Sequence, residues 1–481
     1  MNILKDLLNL CTVFTLLALS ACAINPVTGK KQFVLMSEAQ EVAMGQQSDP
    51  EIIAFFGLYE NPELQEFITE KGNEMAAISH RPKLAYEFKI VDSPVINAFA
   101  VPGGFVYFTR GIMAHFNNEA EFAGVLGHEI GHVTARHSVI QQRNQILGQI
   151  GLLAGIILVP QLSEFVEPLS QGMQLALLQF GRDAERQSDK LGVDYSSQIG
   201  YDATEMAGFF ETLERQQENS EASEIPPFLS THPSPEERNA TVEKLAIDWQ
   251  KKSKMTEFVV NRDSYLRKID GLIVGEDPKQ GFVENSVFYH PVLKIQFPIP
   301  TSWKNQNTPQ QFQMAPNEGD AVMILTLTPG ATLEEAANVV LEKYNLTMVE
   351  SNEETINGMP AVIMLAEQKK ETTTTRVLSS LIQFEGNIYS LMGVSDLSNF
   401  GSYQPVFLNT MRNFKELRDS EKLNRKPDII KIKTVPQQMT LQAAFQEFGM
   451  PADRFEELAL LNGMDLTDQL SKGMLIKVIG K

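Results

Sequence analysis

Asn118–His132, NEAEFAGVLGHEIGH, is the stretch of sequence that most strongly constrains the fold of this chain. Asn118 is followed three residues later by Glu121, an arrangement that satisfies free backbone amides at the start of a helix. Apolar residues then recur at three- and four-residue steps, at Phe122, Val125, Leu126, Ile130 and Val133. This periodicity predicts a long helix with one face in the protein core. Its glycines, Gly124, Gly127 and Gly131, each cost a helix about 1 kcal/mol relative to alanine, so we expect another backbone or a substrate to approach there.

The same helix carries an H-E-x-x-H motif, His128-Glu129-Ile130-Gly131-His132. Residues four apart lie one above the other on a helix, so both imidazoles can bind one metal ion. Glu129 lies about 100° round the helix from His128, where it can reach a water at the metal without binding the metal itself. The motif predicts metal-assisted hydrolysis, and a catalytic zinc would take its third protein ligand from elsewhere in the chain. We expect His137, five residues after His132, to face away from the metal.

Three other segments accompany this motif: Asn97–Gly104 (NAFAVPGG), Arg182–Asp189 (RDAERQSD) and Thr231–Arg238 (THPSPEER). Together with the H-E-x-x-H helix they resemble the zinc metallopeptidase family that includes the CAAX prenyl endoprotease, HtpX and BepA. The resemblance covers roughly residues 24–250. It implies a zinc metalloendopeptidase with one zinc ion per chain.

The resemblance also implies roles for individual residues. Glu185 and Asp189 match the family's E-x-x-x-D motif, which makes Glu185 the third zinc ligand and Asp189 an acid that fixes a histidine or donates a proton. His232 either stabilises the oxyanion or binds the metal as a fourth, inhibitory ligand, and these two roles stay open. The segment from Asn97 through Ala98 and Phe99 to Ala100 corresponds to an edge strand on which an extended peptide substrate would bind.

The N-terminus resembles that of a bacterial lipoprotein. An apolar run from Leu7 to Leu19 is too short to span a bilayer and ends in Leu19-Ser20-Ala21-Cys22, a lipobox-like sequence. The resemblance implies cleavage before Cys22, lipidation of this cysteine and, with Ala23 after it, placement at the outer membrane facing the periplasm.

Later segments predict further domains. From residue 285 onward, alternating strands and two helices resemble the α+β domains of the PsbP or Mog kind. The last part, with Asn462 and a closing strand after Gly473, resembles a LysM module, although Gln437-Gln438 stands where that module usually has Gly-Asp. One long helix is expected from Gln171 to Ile199.

The predicted fold class is multidomain, with a mainly α metallopeptidase domain that has a small β-sheet (α+β), an α+β sheet domain and a small LysM-like domain. The predicted divisions are a lipoprotein signal peptide (1–21), the zinc metallopeptidase domain (22–255), a connector (256–284), the α+β domain (285–414), a charged linker (415–432) and the LysM-like module (433–481).

These observations predict a lipid-anchored periplasmic endopeptidase that hydrolyses misfolded or misassembled envelope proteins. Its expected partners are envelope polypeptides, the membrane and, through the C-terminal module, peptidoglycan. A net charge of −19 disfavours nucleic acid as a partner. The alternative is an envelope scaffold or chaperone with a cell-wall-binding tail and a gated or vestigial zinc site.

Overall fold

The computed structural model describes residues 22–33, 36–141, 162, 171–219, 227–233, 238–370 and 373–481. The predicted signal peptide lies outside these ranges, as does an apolar stretch at 148–159. Within the described part of the chain, no helix is both long enough and apolar enough to cross a membrane. The chain mixes helices with several sheets, as the predicted α+β class requires.

The first part of the chain is mainly helical. Its helices are α1 (Glu38–Phe56), α2 (Pro62–Ile78), α3 (Arg110–His115), α4 (Glu119–Ala135), α5 (Gln171–Ala176), α6 (Arg182–Gln198), α7 (Glu205–Asn219), α8 (Pro227–Thr231), α9 (Arg238–Lys252) and α10 (Arg262–Lys268). Its strands are β1 (Cys22–Ile24), β2 (Lys31–Phe33), β3 (Glu87–Val91), β4 (Ala98–Val101) and β5 (Phe105–Thr109). Strand β5 lies between β3, which is parallel to it, and β4, which is antiparallel and forms the edge.

Helix α4 begins where the sequence predicts. The Asn118 side chain accepts a hydrogen bond from the backbone N–H of Glu121, as a helix N-cap does. Helix α6 packs along α4 so closely that a β-carbon on Gly127 would lie 2.9 Å from the carbonyl oxygen of Gly192. Gly127 and Gly131 thus allow the close approach of the α6 backbone, whereas a β-carbon on Gly124 would meet the side chain of Met206 in α7.

The single helix expected from Gln171 to Ile199 is wrong. The chain forms α5, leaves helical geometry at residues 177–181 and starts again as α6. Leu178 and Phe180 are buried in an apolar cluster beside the sheet, and the N–H of Phe180 donates to the carbonyl oxygen of Thr231. Burial and this tertiary hydrogen bond override the local helical pattern.

The middle of the chain is an α+β unit. Its strands are β7 (Phe282–Glu284), β8 (Val287–His290), β9 (Ile295–Pro298), β10 (Lys304–Asn307), β11 (Gln311–Ala315), β12 (Ala321–Leu327), β13 (Thr347–Ile356), β14 (Met359–Lys369), β15 (Thr374–Phe384), β16 (Asn387–Asp396) and β17 (Lys415–Glu416), and its helices are α11 (Leu333–Lys343) and α12 (Leu397–Arg412). A seven-stranded antiparallel sheet has the order β10-β11-β12-β16-β15-β14-β13, and a smaller one has the order β17-β9-β8-β7. Alternate residues of β12 face α11 on one side and α12 on the other. Strands β7 and β17 extend this unit beyond the predicted limits of 285 and 414.

The last part of the chain packs against the first part. It contains α13 (Ser420–Leu423), β18 (Asp428–Thr434), β19 (Met439–Thr440), α14 (Leu441–Glu447), α15 (Phe455–Leu461), β20 (Gln469–Leu470) and β21 (Leu475–Gly480). Strand β18 pairs with β21 on one side and, on the other, with β6 (Ile273–Val274) of the predicted connector. The charge-rich segment predicted as a linker thus runs into a strand that crosses the boundary at 432, because the buried Ile430 anchors it. The LysM-like nature of this part stays a prediction.

Candidate metal centre

Four buried side chains converge between α4, α6 and the end of α8. They are His128, His132, Glu185 and His232, each 0% exposed, and one potential ligand atom from each lies within 4.8 Å of all the others. The sequence predicted the first three as zinc ligands, and the structure brings them together.

The donor set fits zinc. Nε2 of His128 lies 3.0 Å from Nε2 of His132, and the two oxygens of Glu185 lie 3.4 Å from these nitrogens. Two imidazole nitrogens and one carboxylate are a common ligand set of catalytic zinc. Oxygens and unprotonated nitrogens that converge in a buried space repel one another unless a cation lies between them.

Asp189 orients the first histidine. Its Oδ1 lies 2.9 Å from Nδ1 of His128. Because an ionised carboxylate only accepts hydrogen bonds, Nδ1 carries the proton and Nε2 keeps a lone pair that faces the centre. Burial alone would raise the pKa of Asp189, but the Arg238 guanidinium and the His128 ring outweigh it and hold that pKa below its usual range.

Arg238 is a further residue of the site, and its role was not predicted from the sequence. Its guanidinium donates to both oxygens of Asp189, at 2.6 and 3.0 Å, and reaches Oε2 of Glu185 at 3.4 Å. It lies 3.9 Å from the ring centroid of Phe210 and is 2% exposed. Its position at the end of the Thr231–Arg238 segment was the only sequence signal for it.

Glu129 lies in the same buried space. Neither of its carboxylate oxygens has a hydrogen-bond partner among the described residues. Burial raises its pKa, which favours a carboxyl group that can hold a proton. One of its oxygens is 3.6 Å from Nε2 of His232.

His232 lies against the predicted ligands themselves. Its Nδ1 is 3.3 Å from Nε2 of His128 and 3.2 Å from Oε1 of Glu185, while its Nε2 is 3.3 Å from the carbonyl oxygen of Ala98. Its ring stacks on that of Phe228 with centroids 4.7 Å apart. This position is compatible with both roles that the sequence left open.

The predicted substrate strand is covered by the chain itself. Asn97 precedes β4, and its backbone pairs with Thr109. Ala98, Phe99 and Ala100 are at most 3% exposed: Phe99 lies in the apolar cluster that contains residues 173–180, whereas Ala98 and Ala100 lie in the main core. The ring of Phe180 also stacks on that of His132, with centroids 4.0 Å apart.

His137 lies outside the cluster of potential ligands but contacts it. Its Nδ1 is 3.1 Å from Nδ1 of His132, the nitrogen that faces away from the centre, and its Nε2 is 3.0 Å from Oε1 of Gln187. The sequence analysis gave this residue no role. Cys22, the predicted lipidation site, lies at the first residue of β1.

The fold and the donor set together fit a zinc-binding domain. Residues 62–246, less than half of the chain, match Peptidase family M48. The predicted family, and with it the predicted use of zinc, is confirmed.

Named relatives match about half of the chain or less. The beta-barrel assembly-enhancing protease of Yersinia pestis is 32% identical over 221 residues, which cover 44% of this chain and 45% of that protein. The protein of the same name from Escherichia coli K12 is 30% identical over 254 residues, which cover 50% of each chain. The mitochondrial metalloendopeptidase OMA1 of Arabidopsis thaliana is 33% identical over 167 residues, which cover 34% of this chain and 32% of that one. The chain thus spans at most about half the length of these relatives.

Solved structures match less than a third of the chain. Cyanobacterial PsbP from Synechocystis is 12% identical with a TM-score of 0.24 and covers 28% of this chain and 96% of that one. The Ran-binding protein Mog1p of Saccharomyces cerevisiae is 13% identical with a TM-score of 0.22 and covers 29% and 99%. Similarities at this level carry no argument about function.

Proposed function

We propose that this protein is a zinc-dependent endopeptidase of the bacterial envelope that hydrolyses misfolded or misassembled envelope proteins. The observation that carries the proposal is the buried set of His128, His132 and Glu185. The carboxylate of Glu129 lies beside it and has no hydrogen-bond partner among the described residues. The printed names of the bacterial relatives, beta-barrel assembly-enhancing proteases, support the envelope as the place of action.

The proposed mechanism assigns a task to each side chain. Zinc held by His128, His132 and Glu185 would polarise a peptide carbonyl and make water more acidic. Glu129 would take a proton from the attacking water and return it to the leaving amine. Its position, buried and without a hydrogen-bond partner among the described residues, leaves both oxygens available for this transfer.

Asp189 and Arg238 are positioning residues in this proposal. Asp189 fixes the tautomer of His128, and Arg238 neutralises Asp189 while it holds one oxygen of Glu185. Removal of the guanidinium would leave two buried carboxylates without their cation, which is unfavourable.

We propose that an extended substrate binds along Asn97–Ala100 as an added strand. Strand β4 is the edge of its sheet, which supports this geometry. In this structure the carbonyl oxygens of Ala98 and Ala100 contact His232 and Ser138, so these contacts would have to give way when a substrate strand binds.

The alternative function, a scaffold or chaperone with a gated site, draws on two observations. His232 lies among the predicted ligands, and residues 173–180 share an apolar cluster with Phe99 of the substrate strand. Both features would keep the centre closed to polypeptides. The intact Glu129 favours the peptidase, because a structural zinc site needs no such carboxylate.

We further propose a lipid anchor on Cys22 at the outer membrane, facing the periplasm. Asn25 supports a short tether, because its side chain donates to the carbonyl oxygen of Ala135, three residues after His132. The three residues from Cys22 to Asn25 span at most about 11 Å. The anchor would therefore hold the last turn of α4 close to the lipid surface.

The test compares the chain starting after Cys22 with its Glu129→Gln variant in cleavage of unfolded casein, with zinc content measured on both. We expect both proteins to hold about one zinc and only the wild type to cleave, because glutamine cannot take the proton. Zinc binding without cleavage by either protein would favour the gated alternative, and His232→Ala would then distinguish a histidine that blocks the site from one that is needed for turnover.

A further inference from the structure

The C-terminal residues 428–481, called the returning module below, share one hydrophobic core with the peptidase domain. Buried side chains of α14, α15 and β21 belong to the same apolar cluster as those of α4 and α7. Strand β18 pairs with β6, and the N–H of Ile430 donates to the carbonyl oxygen of Leu272. The module is therefore part of the peptidase body.

A buried lysine of this module reaches the start of the active-site helix. Nζ of Lys477, which is 0% exposed, donates to the carbonyl oxygens of Ala114 and Phe116, at 2.9 and 3.0 Å. These carbonyls lie at the end of α3, where the last turn of a helix leaves acceptors unsatisfied. A cation is favourable there because it faces the negative end of the helix.

The peptide group between Phe116 and Asn117 is held from both ends. Its carbonyl oxygen accepts from Lys477, and its N–H donates to Oε2 of Glu121 at 2.7 Å. Hydrogen bonds in such a chain polarise and strengthen one another. Glu121 is in the first turn of α4, so the chain of hydrogen bonds fixes where the helix with the H-E-x-x-H motif begins.

The burial of Lys477 and Glu121 is energetically unfavourable, so we expect their hydrogen bonds to serve a particular purpose. Burial lowers the pKa of Lys477 and raises that of Glu121. An apolar side chain of similar length would avoid the desolvation of a buried ammonium group. What it would not supply is the pair of hydrogen bonds that orients the peptide group before α4.

Other contacts keep Lys477 in register. The side chain of Asn462 donates to the carbonyl oxygen of Lys477 and accepts from its N–H, so β21 is tied to α15. Arg262 of the peptidase domain donates to the carbonyl oxygen of Leu475. Asn462, one of the residues on which the LysM resemblance rests, thus holds the strand that carries the lysine.

We propose that the returning module is a working part of the peptidase, in which Lys477 positions the N-terminal end of the active-site helix and so sets the placement of His128 and His132. This inference deepens the proposed peptidase function and rests on it. Lys477 acts through the peptide group at 116–117 and is a positioning residue.

The test compares wild type with Lys477→Met, which keeps the length of the side chain and removes its charge. Lys433→Met is the matched control, because Lys433 is exposed on β18 and its backbone pairs with Ile476 next to Lys477. Casein cleavage gives kcat and KM, chelator competition gives zinc affinity, and hydrogen exchange gives the protection of amides 119–123. We expect Lys477→Met to lower kcat and zinc affinity by about tenfold with little change in KM, because small misplacements of catalytic groups have effects of this size or larger.

Hydrogen exchange separates positioning from general stability. We expect faster exchange at the start of α4 in Lys477→Met, and no change in the seven-stranded sheet or in Lys433→Met. The inference is overturned if folded Lys477→Met keeps wild-type kcat, zinc affinity and exchange, or if exchange accelerates uniformly while kcat per folded molecule is unchanged.

A second variant covers the case in which Lys477→Met does not fold. The double variant Lys477→Met/Glu121→Gln removes both buried charges, so we expect it to be more stable than Lys477→Met. If it folds, it must still show the loss of zinc affinity and of protection at 119–123, and wild-type values for both would refute the inference. If the wild type itself does not cleave casein, the proposed function fails, whereas zinc affinity and exchange still decide whether Lys477 positions the helix.

Discussion

The Arg238 side chain links the predicted zinc ligand Glu185 to Asp189, the residue that orients His128, because it binds both carboxylates at once. We expect Arg238→Met to weaken zinc binding by about 10- to 100-fold, the usual effect of losing a group that orients a metal ligand. The measurement is competition with a chelator of known affinity.

Arg186→Met is the matched control. Arg186 lies on the same helix as Asp189 but is 56% exposed in its side chain and pairs only with Asp183 among the described contacts. We expect its zinc affinity to stay within twofold of the wild type. Equal losses in both variants would mean that general positive charge, and not the Arg238 contacts, supports the metal.

At the residue scale, the sequence predicted best those site residues that lie close together along the chain. His128 and His132 are one helical turn apart, so helix geometry gives their common face. Glu185 and Asp189 are also one turn apart, but their roles were predicted from the resemblance to the family motif. The role of Arg238 depends on how separate helices pack, which the spacing of residues in the sequence does not show. The assigned roles of the site residues stay predictions until the variants are measured.

The pairing of α4 with α6 depends on glycine at the contact. Gly127→Ala would place a β-carbon 2.9 Å from the carbonyl oxygen of Gly192, so the helices must separate. We expect a loss of about 1–3 kcal/mol in the free energy of unfolding, as for other overpacked sites. Urea unfolding of the full chain measures it.

Gly208→Ala is the counterpart within another helix. A β-carbon at Gly208 in α7 meets nothing within 4 Å, so the helix gains about 1 kcal/mol from the better helix former. The two identical substitutions should therefore change stability in opposite directions. If both were neutral or both stabilising, the close approach at Gly127 would not be a constraint.

Element boundaries were predicted where one pattern dominates and missed where packing decides. The N-cap at Asn118 was correct, because capping involves residues three apart. The break at 177–181 was missed, because the apolar pattern of Gln171–Ile199 is equally compatible with a continuous helix. Only the burial of Leu178 and Phe180 against the sheet explains the extended segment.

The chain as a whole contains a discontinuous body with an insertion. Two apolar clusters lie in the middle α+β unit, one of which also includes Leu162 of the first part, while residues before and after this unit share one large core. The sequence predicted three consecutive domains. The shared core depends on contacts between residues far apart in the chain, such as those of Lys477, and such contacts leave no local pattern in the sequence.

This architecture predicts that the inserted unit can be removed. Val274 of β6 is the pairing partner of Asp428 of β18, so a four-residue turn can join the two strands as a hairpin. We expect the chain without residues 275–427 to fold, hold about one zinc and cleave casein. Circular dichroism and zinc analysis check the fold. A soluble protein without zinc would show that the inserted unit supports the metal centre.

The contact between Lys477 and Phe116 joins residues 361 positions apart in the chain. The potential zinc ligands are therefore synthesised long before β21, the strand whose Lys477 positions the start of α4. Domains that depend on such distant partners complete their folding late. During synthesis the chain would therefore carry its potential zinc ligands before the strand that positions their helix has been made.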